Sequence, residues 1–256
     1  MLELHSVGFD EHHHQLIPAT TFAVPEGHLS LLQVPTRMGR TACTLIASGR
    51  LEPHTGEVLL DGEANLKRLR CAAAPVDSPT ITEPEHHMKV KHVVAEALAL
   101  HSRPPGTSFI RHMTRTVSPA TWIRDNGFTD IVEEHVAALD PALRLHLLLS
   151  LAFADPQVRV AVVDSPDRHD ISYQDMLRVL TRHTSAGRKT SNQSRRRSRS
   201  VLAVVAQLPA AEDLPAHMHT GDISTGGLHT GWAGASPRTT TEAETGVPPG
   251  EQQVQQ

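Results

Sequence analysis

The chain of 256 residues is 39% hydrophobic and only 3% aromatic, which is enough apolar material for one sizeable core but not for two. Its 24 Lys and Arg residues are outnumbered by 28 Asp and Glu residues, and the formal charge of -4 excludes a basic field that would draw the whole protein onto nucleic acid or a membrane surface. The two cysteines are too few for a disulfide framework, which favours a reducing compartment.

The N-terminal part of the sequence predicts strands, a loop and a helix. Residues 2–9 alternate between apolar and polar and predict an edge strand, and residues 20–24 predict a second strand. Residues 29–34 form a continuous apolar run that is typical of a buried parallel strand, and a helix is predicted over residues 42–48. A strand, a loop and a helix in this order form the unit that binds phosphate in many nucleotide-binding proteins.

The rest of the chain alternates between strand and helix patterns. Strands are predicted within residues 51–62, 158–163 and 201–206, and helices over residues 90–100, 142–154 and 175–183. We therefore predict an α/β fold with a largely parallel sheet core, an N-terminal β edge and a helical insertion over residues 80–138.

Two segments have a biased composition. Residues 209–256 contain few large apolar side chains and predict a disordered tail, so the domain is expected to end at residue 208. Residues 185–200 form a basic loop that contains Arg195-Arg196-Arg197-Ser198-Arg199. A solvated insertion is the favoured interpretation, and binding of RNA, anionic lipid or a phosphorylated partner is the alternative. No aromatic residue interleaves with these arginines, so nucleic acid is an unlikely partner.

The candidate phosphate-binding loop is a weak match to the pattern GxxxxGK(S/T). Val34 stands at the first glycine, Gly39 at the second, Arg40 at the lysine and Thr41 at the hydroxyl residue that binds magnesium. The predicted nucleotide-binding residues are Pro35, Thr36, Arg37, Met38, Gly39, Arg40, Thr41 and Ala42.

The order of further motifs resembles the nucleotide-binding subunit of an ABC transporter over residues 2–207. The best preserved match is His54-Thr55-Gly56-Glu57-Val58-Leu59-Leu60-Asp61-Gly62, which resembles the hairpin that follows the Walker A loop in that family. Leu139-Asp140-Pro141 falls where the LSGGQ signature would open its helix. Ala154-Asp155-Pro156 followed by residues 160–164 resembles the approach to Walker B, so the order of the motifs is preserved.

The departures from the family pattern concern the residues that carry out hydrolysis. Ser165 replaces the Walker B glutamate after Asp164, and Gln207 replaces the switch histidine, so no catalytic residue is assigned. Asp77 stands at the glutamine of the Q-loop, and the resemblance implies a magnesium site at Thr41, Asp77 and Asp164. Because loss of a positioned base typically lowers a rate by about two to four orders of magnitude, hydrolysis by this chain alone is expected to be weak or absent.

The resemblance implies an ATP-binding subunit with ATP and Mg²⁺ as cofactors, catalytically degenerate and coupled to a membrane-spanning permease. A homodimer or a heterodimer with another nucleotide-binding subunit is implied, and so is a cytoplasmic location at the inner face of the cell membrane. The alternative is a regulatory or scaffold protein that retains the fold without nucleotide turnover. The 18 histidines, including His12-His13-His14 and His86-His87, lack a metal-binding spacing and are read as solvated loops.

Overall fold

The computed structural model describes residues 1–11, 14–101, 117–185, 198–210, 214–215, 218–223 and 231–232. Its strands are β1 (Leu2–Glu11), β2 (His14–Val24), β3 (Leu29–Gln33), β4 (Thr55–Leu60), β5 (Ala73–Val76), β6 (Val160–Asp164), β7 (Ser200–Val205), β8 (His219–Asp222) and β9 (Gly231–Trp232). Its α-helices are α1 (Arg37–Ala47), α2 (Leu66–Ala72), α3 (Val90–His101), α4 (Pro119–Asp125), α5 (Pro141–Ala152) and α6 (Tyr173–Arg182). None of the described helices is long and apolar enough to cross a lipid bilayer.

The larger sheet has the order β5-β6-β7-β3-β8-β9. Its first five strands in this order run parallel, and β9 is antiparallel to β8. Every residue of β6 and β7 is buried, because both faces of the sheet are covered. Strands buried on both faces have continuous apolar sequences, which is the pattern that the chain shows here. The predicted α/β fold with a parallel sheet core is confirmed.

The two faces of this sheet pack against different layers. Leu32 and Val162 belong to a core shared with α1 and with the antiparallel sheet β2-β1-β4, which forms the predicted N-terminal β edge. Leu31 and Val163 belong to a second core that α5 and α6 cover. The segment that contains α3 and α4 has a third core, centred on Trp122 and continued onto α5; residues 102–116 of the predicted insertion lie outside the described residues.

Helix α1 begins at Arg37, whereas the sequence predicted its start at residue 42. The reason is the N-cap at Thr36, whose side chain accepts a hydrogen bond from the N–H of Gly39 at 3.1 Å. Helix α2 was not predicted. It begins after the N-cap Asn65 and buries only Leu69 and Ala72, so its apolar signal is weak.

The predicted start of a disordered tail at residue 209 is wrong. Strand β8 pairs in parallel with β3, and Met218 and Ile223 on either side of it are buried. The strand itself is polar, so its composition gave no strand signal. Of the predicted basic loop, residues 186–197 lie outside the described residues, and Ser185 pairs with Arg199 at its base.

Two histidines lie in the contact between α5 and α6. The Nδ1 atom of His146 is 2.8 Å from Nε2 of His183, and the His183 ring also stacks on Phe153. Burial first, and then the charges of His146, Arg199 and Arg182, lower the pKa of His183 to about 4. Burial, and then the charge of Arg182, also lower the pKa of His146, so both rings are neutral in the folded protein at neutral pH.

We expect acid to destabilise the fold through His183. The unfolded side chain takes up a proton near its ordinary pKa of 6.5, whereas the folded one does so only near 4, so stability is lost as the pH falls through that interval. From about pH 7 to about pH 5 the free energy of unfolding should fall by about 1–2 kcal/mol more than in His183→Gln, measured by urea denaturation. The same substitution at the exposed His92 should leave the pH dependence unchanged, and an unchanged profile in His183→Gln would contradict the assignment.

Candidate functional site

The candidate site lies at the carboxyl ends of β3, β6 and β7, where open parallel sheets commonly bind ligands. β3 leads into α1 through the loop Val34-Pro35-Thr36, and β6 ends in Asp164, which Ser165 follows. Ser165 is buried and has a left-handed backbone with φ of 49°, which is uncommon for a side chain other than glycine. β3 and β6, which lie on either side of β7, thus bring the phosphate-loop and Walker B positions to the same edge of the sheet.

The loop before α1 has only three residues between strand and helix. The N–H of Val34 bonds the carbonyl of Val205 at 2.8 Å, and Pro35 has no N–H to offer. In the described part of the chain, the N–H groups of Thr36, Arg37 and Met38 have no hydrogen-bond partner. These three donors, with the positive end of the α1 dipole, are the groups that could meet an anion.

Gly39 has a packing role inside this helix. A Cβ atom at this position would lie 2.6 Å from Oγ1 of Thr36 and 2.8 Å from the carbonyl oxygen of Leu16 in β2. No side chain fits at those distances, so the glycine permits the helix to approach β2 and to keep its cap.

The guanidinium of Arg40 folds back into the loop. Its Nε donates to Oγ of Ser165 at 2.7 Å, and its Nη1 donates to the carbonyl oxygens of Val34 at 3.1 Å and Pro35 at 2.8 Å. A loop that cradles phosphate presents N–H groups to its ligand, whereas this one presents two carbonyl groups to its own cation. The side chain at the lysine position is therefore held by the protein itself.

Thr41, Asp164 and Ser165 form a short hydrogen-bonded chain. Oγ1 of Thr41 donates to one oxygen of Asp164 at 2.8 Å, and Oγ of Ser165 donates to the other at 2.7 Å. Asp164 has no exposed surface. The nearby Cys43 is buried too, and burial together with the charge of Asp164 raises its pKa to about 12, so this thiol is not a nucleophile.

Asp77 forms a buried ion pair with Arg144 of α5. Nη1 and Nη2 of Arg144 donate to the two carboxylate oxygens at 2.5 and 2.7 Å, and Arg168 lies 3.3 Å away. Burial opposes ionisation of Asp77, but hydrogen bonds from His169 and Arg144 and the charges of both arginines hold its pKa below the usual range. The sequence did not assign Arg144, Arg168 or His169 to the candidate site, and the structure places all three around Asp77.

This arrangement can be tested against the magnesium site that the resemblance implies. Among the predicted ligands, each oxygen of Asp164 already accepts a hydroxyl hydrogen bond, and each oxygen of Asp77 binds Arg144. One candidate ligand atom from each of Asp77, Glu83 and His169 also lies within 4.8 Å of the other two, but Arg168 bridges the two carboxylates. Guanidinium groups repel a divalent cation, so the residues as arranged do not fit Mg²⁺.

Gln207, at the position of the missing histidine, opens onto a cavity of about 300 Å³, whose other lining residues are Pro35, Asp167, Ile171, Tyr173, Met176 and Ala206. Gln207 is exposed, and its backbone carbonyl oxygen accepts a hydrogen bond from the hydroxyl of Tyr173. Asp167 is the first carboxylate residue after the position of the missing glutamate. One of its oxygens accepts the N–H of Ala206 at 2.8 Å, which fixes it to the end of β7 rather than to Thr41 or Asp164.

The signature position is a capped helix start. Asp140 is the N-cap of α5 and accepts hydrogen bonds from the N–H groups of Ala142 at 3.0 Å and Leu143 at 3.1 Å, and Pro141 occupies the first helical position. The carboxylate of Asp140 satisfies the amides that could otherwise face a phosphate.

A groove of about 470 Å³ opens beside the N-terminus of α1. Its lining residues are Phe9, Glu11, Arg37, Met38, Thr41, Ala42, Leu45, Leu51, Pro79, Thr80 and Ile81. Phe9, the aromatic residue near the start of the chain, packs against the core and stacks on His54 with the ring centroids 4.5 Å apart. Met38 and Ile81 are both more than half exposed here. The groove therefore offers apolar walls close to the three N–H donors that have no partner among the described residues.

No protein-family model matches this sequence, and no curated protein matches it. Solved structures do match. The protein cbiO1 from Clostridium perfringens, described as part of the ABC transporter complex cbiONQ, superposes with a TM-score of 0.54 at 11% identity over 86% of this chain and 83% of its own. A dimeric bacterial ABC transporter cassette gives a TM-score of 0.56 at 12% identity over 87% and 95% of the two chains. A putative ABC transporter ATP-binding protein from Pyrococcus furiosus gives 0.55 at 12% identity over 88% and 98%.

The chain therefore has the fold of the ATP-binding subunits of ABC transporters, over nearly the whole length of those structures. Since the identities are low, the likeness establishes the fold and leaves the chemistry to the residues at the site.

Proposed function

We propose that this chain is a catalytically degenerate ATP-binding subunit of an ABC-type transporter, bound at the inner face of the cell membrane through a membrane-spanning permease. Cassettes of this fold generally bind ATP with Mg²⁺. In this chain ATP would be held at the N-terminus of α1, with its phosphates on the N–H groups of Thr36, Arg37 and Met38 and its base in the adjoining groove.

The observation that carries the proposal is this combination of an open helix N-terminus and an apolar groove in a cassette fold. Binding needs only those groups, whereas hydrolysis also needs a residue that activates water. Ser165 and Gln207 at the two catalytic positions cannot supply a strong base, and one oxygen of Asp167 accepts the N–H of Ala206, which holds this carboxylate at the end of β7. We therefore propose that a second cassette, paired with this one, carries out the hydrolysis.

We expect ATP to bind with a Kd between high micromolar and low millimolar, and phosphate release to stay at the buffer background. Met38→Glu places a carboxylate in the first turn of α1 and should weaken ATP binding at least about tenfold, since like charges repel at short range. Calorimetric titration of the folded proteins measures ATP binding by the wild type and by Met38→Glu, and a phosphate-release assay measures turnover. The matched control is Leu66→Glu, which places the same charge at the exposed start of α2 and should leave ATP binding unchanged.

The second candidate is a scaffold protein that keeps the fold and binds no nucleotide. It is favoured by Arg40, whose guanidinium is satisfied by Ser165 and by the loop carbonyls without any ligand. Absence of ATP binding by the folded chain, alone and with a second cassette, would leave this candidate in place of the transporter subunit.

A further inference from the structure

Arginine stands beside each of the two carboxylates to which the resemblance assigns magnesium. Asp77 is paired directly with Arg144, and Asp164 is linked to Arg40 through the hydroxyl of Ser165. Asp164 has no exposed surface, and a buried carboxylate without a compensating positive charge is costly. Arg40, one hydroxyl away, supplies that charge.

The contacts of Arg40 match the requirements of a resident cation. Two carbonyl dipoles, those of Val34 and Pro35, point their negative ends at the guanidinium, and the Ser165 hydroxyl accepts from it while donating to Asp164. A divalent ion at Asp164 would lie close to this guanidinium and be repelled by it. A lysine could not hold three acceptors in one plane, so arginine at this position is not equivalent to the lysine of the motif.

We propose that Arg40 is the permanent counterion of Asp164, that it replaces magnesium at this site, and that nucleotide bound here is bound without a metal ion. Only the last clause rests on the proposed function, because the relation between Arg40, Ser165 and Asp164 needs no nucleotide. The left-handed backbone of Ser165 supports the assignment, since it places the hydroxyl between the guanidinium and the carboxylate.

The test is a Mn²⁺ titration without nucleotide, followed by the electron paramagnetic resonance signal of the free ion. The wild-type chain should have no Mn²⁺ site at Asp164, so the wild type and Asp164→Asn should bind Mn²⁺ equally. Arg40→Met keeps an unbranched apolar side chain but removes the charge, and it should bind Mn²⁺ at least about tenfold more tightly than the wild type does. This gain should be lost in the double variant Arg40→Met/Asp164→Asn. Arg178→Met, at an exposed arginine of α6, is the matched control and should behave as wild type.

Stability provides a second readout. Mn²⁺ should raise the melting temperature of Arg40→Met and not that of the wild type, because an ion that binds only the folded state stabilises it. If Arg40→Met is unfolded without metal, Mn²⁺ should refold it. Wild-type binding of Mn²⁺ at Asp164, or a folded Arg40→Met that gains no site, would overturn the proposal.

A nucleotide arm separates this inference from the proposed function. ATP should bind the wild type with the same Kd in EDTA and in Mg²⁺, within about a factor of two. ATP binding that requires Mg²⁺ would refute the metal-free site while supporting the nucleotide-binding subunit. If ATP does not bind at all, the proposed function fails and the Mn²⁺ titration alone decides the role of Arg40.

Discussion

Replacement of Arg144 by methionine should lower the free energy of unfolding by about 3–5 kcal/mol, one of the largest effects that a single substitution is expected to have in this protein. The side chains of Arg144 and Asp77 are only 9% and 2% exposed, so removal of the guanidinium leaves a buried carboxylate without its bidentate partner. Arg168 and His169 remain beside Asp77, but neither contacts both of its oxygens within 3 Å.

The effect should be large because the pair joins segments that are distant in sequence. Asp77 follows β5, and Arg144 lies on α5. Arg168, after β6, lies 3.0 Å from the carboxylate of Glu83, before α3, and extends the network to both of these segments. Asp77 and Thr80 have left-handed backbones, with φ of 60° and 62°, so this turn depends on its contacts to keep its conformation.

Urea denaturation measures the loss. Asp77→Asn combined with Arg144→Met should recover part of it, because the double variant buries no unpaired charge. Arg178→Met removes an exposed ion pair with Asp175 and should lower the free energy of unfolding far less than Arg144→Met does. Equal effects of Arg144→Met and Arg178→Met would show that the Asp77 pair contributes no more than a surface contact.

The sequence was sufficient for the elements that one continuous pattern specifies. The apolar runs of β3, β6 and β7 predicted buried parallel strands, and the leucine-rich run over residues 142–154 predicted α5. The prediction that Asp164 stands at the end of its strand followed from the same patterns and is confirmed. Thr41, predicted just before the helix, lies inside α1, where its hydroxyl is 2.8 Å from Asp164.

The contacts within the site were beyond a single sequence. Arg144 and Asp77 are 67 positions apart, and an arginine in an apolar helix does not identify its partner. The orientation of Arg40 depends on a loop of three residues, and the sequence reading left that loop longer by placing the start of α1 at residue 42. The Thr36 N-cap was the available signal for the true start, since threonine commonly precedes a helix.

Strand β8 illustrates a second limit of sequence reasoning. His219, Thr220 and Asp222 are polar, and the strand exists because the edge of β3 offers a parallel ladder. Gly221 permits this contact, since a Cβ atom there would lie 2.7 Å from the ring of Phe22. The composition of the surrounding segment predicts a disordered tail. It gives no signal for a four-residue strand whose pairing partner lies far away in the chain.

A chain that ends at residue 208, the boundary predicted from the sequence, should therefore be less stable than one that ends at residue 232. The shorter chain loses Met218 and Ile223, which are 2% and 5% exposed, and burial of two such side chains is worth about 3–6 kcal/mol. It also loses the hydrogen bond of 2.9 Å between Gln33 and Asp222 and exposes the edge of β3 beside the candidate site.

Urea denaturation of the two truncated chains measures this effect. Gly221→Val in the 256-residue chain provides a point variant that keeps every residue after position 208. Its side chain cannot fit against Phe22, so it should cost about 1–3 kcal/mol by forcing β8 away from β3. Equal stability of the chains that end at residues 208 and 232 would show that β8 contributes nothing to the fold and would restore residue 208 as the boundary of the domain.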